Sequence, residues 1–158
     1  MQPESLVPDA SVALSPAVRR YLEAPPRHAT LATVSADGTP HVSVIWFRLD
    51  GDAILINSRV GRRWPRELQA DHRCALTVAH PDIDLERYVA IQAEAEVAAT
   101  GPGALADIRA LARRYGGDPA KFDGQERISF RLRPTAVVVH GELEPIDAVA
   151  LAAARVGA

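Results

Sequence analysis

Two Asp-Gly pairs, Asp37-Gly38 and Asp50-Gly51, punctuate a stretch of alternating side chains, and they limit what the chain can become more than any other feature. Asp-Gly supplies the positive backbone angles of a tight hairpin turn, while alternation at period two puts successive side chains on opposite faces of a strand. Ahead of the first turn, Thr30, Ala32 and Val34 alternate with Leu31, Thr33 and Ser35. His41 to Leu49 follows, with Val42, Val44 and Trp46 on one face and His41, Ser43, Ile45 and Phe47 on the other, both faces expected to be largely covered. Ala53 to Asn57 comes after the second turn. Three strands joined by two short turns predict an antiparallel meander.

The rest of the chain adds helices and closing strands. Ser15-Pro16 is an N-cap and first-turn pair, since the serine oxygen accepts an orphan helix N–H and proline has none to waste. A short helix through Val18, Tyr21 and Leu22 then runs to Pro25-Pro26, which end it. Pro65 opens a second short helix through Leu68 to Ala70, and Cys74 to Ala79 is an apolar strand. Asp82 to Glu86 reads as a loop, and Arg87 to Ala98 as a long strand broken by Gly101-Pro102-Gly103. Leu105, Ile108, Leu111 and Ala112 have helical spacing, and Gly116-Gly117 stops that helix. Ile128 to Leu132 and Thr135 to His140 read as closing strands separated by Arg133-Pro134, with a weak terminal helix over Ile146 to Val156. About six short strands linked by hairpins, with two or three helices, predict a small antiparallel barrel and exclude a Rossmann sheet. The expected organisation is an N-terminal arm (1–14), one barrel domain (15–142) and a C-terminal tail or short helix (143–158).

A chain of 158 residues buries enough surface to fold without disulfides or metal. Its formal net charge of -2 lacks the field that drives general nucleic-acid binding, and no apolar run approaches the roughly 20 residues of a membrane span. Cys74, the only cysteine, is expected to be a small buried hydrophobe. Met1 to Ala10 has no basic region and no apolar block, so no signal peptide is read there and the cytoplasm is the expected compartment.

No G-x-G-x-x-G, Walker A loop, G-x-S-x-G elbow or H-E-x-x-H is present. His28, His41, His72, His80 and His140 are scattered without ligand spacing, so no metal site is expected. The one unusual segment is Arg59-Val60-Gly61-Arg62-Arg63-Trp64-Pro65-Arg66. It gathers guanidinium groups where a strand ends and a helix begins, beside unpaired backbone N–H groups and the positive end of the helix dipole. Arginine forks match phosphate oxygens two at a time, and Asn57 and Ser58 add short polar donors. The competing reading is a solvated basic turn whose arginines pair with Glu67, Asp71 or neighbouring carboxylates.

Ala29-Thr30-Leu31-Ala32-Thr33-Val34, Asp37-Gly38-Thr39-Pro40-His41-Val42-Ser43 and Val44-Ile45-Trp46-Phe47, in that order, resemble the opening of the pyridoxamine 5'-phosphate oxidase-like split β-barrel flavoproteins. The Arg-rich turn, Asp71-His72-Arg73 and Tyr88-Val89-Ala90-Ile91-Gln92 follow the same pattern. The resemblance implies a mainly β fold with helices (α+β), a six-stranded antiparallel split barrel of the FMN-binding type, and a homodimer with its cofactor in a groove between subunits. Gly61-Arg62-Arg63-Trp64-Pro65-Arg66 and the Leu105 to Tyr115 helix followed by Lys121-Phe122 are similar to the actinobacterial branch that uses the deazaflavin coenzyme F420. That likeness implies an F420-dependent oxidoreductase passing a hydride between the reduced deazaflavin and a small organic substrate. An FMN-dependent oxidase or reductase, and a non-catalytic cofactor or haem carrier on the same barrel, are the alternatives. The cofactor phosphate would sit on Arg62 and Arg63 with Asn57 and Ser58, the ring against Ser43, Val44, Ile45 and Trp46, and Trp64 would be among the cofactor-binding residues of the turn. Trp46 could equally belong to the barrel core. Trp64 stands beside the phosphate turn where many relatives carry a lysine, and Glu67 where many carry an asparagine.

Overall fold

A computed structural model of the chain describes residues 11–80 and 84–143. The proposed terminal helix over Ile146 to Val156 lies outside the described residues. In chain order the elements are α1 (Pro16–Glu23), β1 (Ala29–Val34), β2 (Pro40–Ile45), β3 (Phe47–Asp50), β4 (Ala53–Arg59), α2 (Arg63–Ala70), β5 (Arg73–His80), β6 (Asp84–Thr100), α3 (Gly101–Arg114), a short 3-10 turn (Pro119–Phe122) and β7 (Arg127–His140). β6 thus begins inside the segment expected to be a loop. The Ser15 hydroxyl accepts the Val18 N–H at 3.3 Å and caps α1, whose Val18 and Leu22 are buried.

The strands form one sheet in the order β2-β1-β5-β6-β7-β4-β3, and every pairing is antiparallel. β2 and β3 occupy opposite edges of that sheet, yet only Trp46 separates them in the chain. One residue can join the two edges only if the sheet curls until they meet. The result is a split β-barrel.

This closure corrects three expectations. His41 to Leu49 is not one strand, because the chain leaves the β1 ladder after Ile45 and joins β4 at Phe47. The predicted meander is therefore two separate hairpins. Nor are both faces of this stretch covered: Val42 and Val44 are 59% and 69% exposed on the edge strand β2. The strand count is seven rather than six: the break at Trp46 divides one expected strand into β2 and β3, while the two closing strands fuse into β7. Pro134 is tolerated within β7 because the β4 ladder ends at Leu132, leaving that side of β7 without a strand partner. The Val12 N–H reaches the Pro134 carbonyl at 2.8 Å, and Leu14 is buried in the core, so the end of the expected arm is tied to the barrel.

Leu31, Phe47, Ile54, Ile56, Leu76, Ile91, Phe130 and Leu132 fill the barrel. Each such side chain contributes about 1.5–3 kcal/mol relative to exposure. α3 lies outside against β4, β6 and β7, with Ala104, Ile108, Leu111 and Ala112 buried. Among the described residues no helix is long and apolar enough to cross a membrane.

Candidate functional site

The arginine turn is built by the exit of β4. Gly61 adopts φ +85°, a left-handed conformation that glycine takes without strain, and this reverses the chain into α2, with extended Arg62 at the N-cap. Adjacent strand residues point to opposite faces, so Asn57 and Ser58 are separated. Ser58 is buried in the same alternation as Ile54 and Ile56, whereas Asn57 faces α3. The Asn57 amide donates to the Ala104 carbonyl (2.8 Å) and to Ser129 Oγ (2.9 Å), and its Oδ1 accepts from Arg127 Nε at 2.9 Å. Its polar atoms are thus engaged within the protein.

Arg127 is the residue the sequence did not point to. It opens β7 directly opposite Arg59, and like charges facing each other on an antiparallel pair are destabilising unless something offsets them. That register was the available signal, but it requires the pairing of β4 with β7 to be known. Arg127 is buried, donates from Nη1 to Gln125 Oε1 at 3.0 Å, and lies over the Phe122 ring at 5.2 Å. Burial, and then the charges of Arg62 and Arg59, pull its pKa down from 12.5 to about 10. Among the described residues no carboxylate comes within ion-pair distance of Arg59, Arg62 or Arg127.

Arg63 behaves differently. Its Nε donates to Glu67 Oε1 at 2.8 Å, one turn along α2, and its Nη2 donates to Ser35 Oγ at 3.0 Å. Glu67 is buried and also accepts from Thr33 Oγ1, Ser35 Oγ (2.8 Å) and His41 Nδ1 (3.0 Å). Burial pushes its carboxyl up, but Thr33, Arg63, Ser35 and His41 together outweigh that and hold it at about 2. The reading in which the turn's arginines pair with carboxylates therefore applies to Arg63 but not to Arg62. Trp64 turns inward, 7% exposed and 5.9 Å from Phe130 between ring centroids, so its indole belongs to the barrel core.

Trp46 stands at the barrel rim, outside the core. It is half-buried, stacked on Tyr115 (5.0 Å, 6° between planes) and edge-on to Phe122 at 6.5 Å, and its Nε1 donates to His28 Nε2 at 3.2 Å. Ser43 and Val44 precede it on the edge strand, and Ile45 is buried. Phe122 touches both groups, so an aromatic shelf and an uncompensated cationic cluster lie side by side. Such a pairing suits a flat molecule carrying an acidic tail.

The family model for pyridoxamine 5'-phosphate oxidase matches residues 14–141. The chain belongs to that family. None of the curated proteins matches it. Among solved structures, the chain is similar to an F420 reductase at 31% identity, covering 75% of this chain and 94% of that one, with a TM-score of 0.65. It also shares its fold with a conserved hypothetical protein from Mycobacterium tuberculosis (19% identity, 84% and 88% covered, TM-score 0.68). HutZ, the haem storage protein from Vibrio cholerae, has the same fold (20% identity, 82% and 96% covered, TM-score 0.63). In this member of the pyridoxamine 5'-phosphate oxidase family, Cys74 is buried in the core, and burial pushes its thiol up to about 12, which favours the protonated form.

Proposed function

We propose that this chain is an F420-dependent oxidoreductase, acting as a homodimer on a small organic substrate. The observation that carries the proposal is the adjacency of the Trp46–Tyr115–Phe122 shelf to guanidinium groups with no carboxylate partner. The 31% identity to an F420 reductase supports the choice of cofactor. The residues present fit a phosphorylated tricycle: Arg62 and the N–H groups opening α2 would take the phosphate, and the Ser43 to Trp46 edge would take the ring. Arg63 would contribute through the N–H groups that Glu67 and Ser35 leave free, those of Nη1 foremost. Asn57 would act indirectly by fixing Arg127, and Ser58 and Trp64 would shape the turn from the inner side. Reduced F420, when bound, supplies a hydride to an organic acceptor, and the protein's part is orientation and exclusion of water. The exposed Val42 and Val44 would lie against the second subunit, which closes the groove.

The test is oxidation of reduced F420 in the presence of a panel of unsaturated acceptors, paired with the absorption spectrum of the purified protein. Faster oxidation with protein than without is expected. Failure of every acceptor despite tight binding would assign a carrier role, and a bound chromophore absorbing at the longer wavelength of a flavin would replace F420 with FMN.

A further inference from the structure

We infer that Arg127, together with Arg59 and Arg62, forms an anion-binding site over Phe122 that takes a phosphate group.

The argument starts from how unusual Arg127 is. It is 7% exposed, yet its protein hydrogen-bond acceptors are the neutral oxygens of Asn57 and Gln125. Burying a guanidinium without a counter-charge is costly, and two further cations beside it raise that cost. A guanidinium with only a structural role would be expected to lie against a carboxylate. The carboxylate on this face, Asp107, is already taken by Ser129 Oγ (2.7 Å) and Arg48 (3.2 Å). Asn57 spends both of its donor contacts on Ala104 and Ser129, so its Oδ1 is the atom presented to Arg127. The network therefore fixes the guanidinium along its Nε and Nη1 edges. Nη2 has no protein partner among the described residues and is not sealed from solvent. Arg59 and Arg62, both exposed, complete the rim. Three forks with no counter-charge favour a dianion with several oxygens, which describes a phosphate better than a single carboxylate.

The site follows from these contacts alone, and it rests on the F420 reading only for which molecule brings the phosphate. A cofactor tail and a phosphorylated substrate share the chemistry. Inorganic pyrophosphate titrated into the full-length protein by calorimetry at low salt tests the site itself. F420, FMN and their phosphate-free chromophores test the source. Arg127→Gln and Arg59→Gln are each expected to weaken pyrophosphate binding by about tenfold or more, the loss of a charge-assisted hydrogen bond. Arg113→Gln, on the exposed side of α3, should leave it unchanged. Should Arg127→Gln fail to fold, the exposed Arg59 carries the test alone.

Arg127-dependent binding of pyrophosphate without binding of any flavin or deazaflavin would leave this site standing and remove the cofactor reading. Equal affinity for phosphorylated and phosphate-free chromophores, with pyrophosphate binding retained, would assign the site to an acidic substrate. Unaltered affinity in both arginine variants, or no pyrophosphate binding by the unmodified protein, overturns the inference.

Discussion

Glu67 keeps its charge inside the protein because four side chains from three elements converge on it: Thr33 and Ser35 near the end of β1, His41 from β2, and Arg63 from its own helix. Its carboxyl is held at about 2, against an ordinary value of 4.5. A carboxylate whose pKa is depressed by folding stabilises the protein above its unfolded pKa and loses that contribution as the pH falls through the folded one. The contribution is thus whole above about pH 4.5 and disappears toward pH 2. Glu67→Gln should flatten the acid limb of a melting-temperature profile in that window and cost about 1–3 kcal/mol at neutral pH, because the donors around it lose their charged acceptor. A variant with the same profile as the unmodified protein would show that the cluster contributes no stability. Asp71, held at about 2 chiefly by the Arg73 side chain, retains part of the slope in either case. From the sequence, Glu67 and Asp71 stood as alternative partners for the turn's arginines. Only folding brings Thr33, Ser35 and His41 to Glu67, residues 26 to 34 positions distant.

The hairpin turns, the Ser15-Pro16 start of α1 and the Gly116-Gly117 end of α3 were legible because glycine, proline and capping serine act through local backbone geometry. The break at Trp46 was not legible, since the alternation of side chains continues straight through it while the chain changes hydrogen-bonding partners. What marks the break is tertiary. Tyr115, just after α3, accepts the Phe47 N–H at 3.2 Å and donates to the Arg27 carbonyl, tying the first residue of β3 to the segment before β1. Its ring carries the Trp46 indole. Tyr115→Phe keeps the stack and removes these bonds, so urea denaturation should show a loss of about 1–2 kcal/mol. Trp46 fluorescence should shift toward that of a more mobile indole. Unchanged stability would mean that stacking alone holds the rim.

A barrel closed by a single residue leaves β2 with one hydrogen-bonded neighbour and two large apolar side chains toward solvent, an arrangement that invites association. If a second subunit covers Val42 and Val44, the chain sediments as a dimer, and Val42→Glu with Val44→Glu yields a monomer whose melting temperature is little altered. A monomeric parent protein contradicts that use of the surface. The barrel was accessible from sequence because it rests on turns and alternation repeated along the chain, and the family through the resemblance carried by Ala29 to Phe47 and the Arg-rich turn. The cationic cluster was only half accessible, because Arg59 and Arg62 are local to the turn while Arg127 reaches them through strand register. The most direct measurement is a crystal structure of the protein grown with F420. It should show the tricycle at the Trp46 edge and the phosphate within hydrogen-bond distance of Arg62 and Arg127; a chromophore bound elsewhere, or those arginines facing only solvent with F420 at saturating concentration, would contradict it.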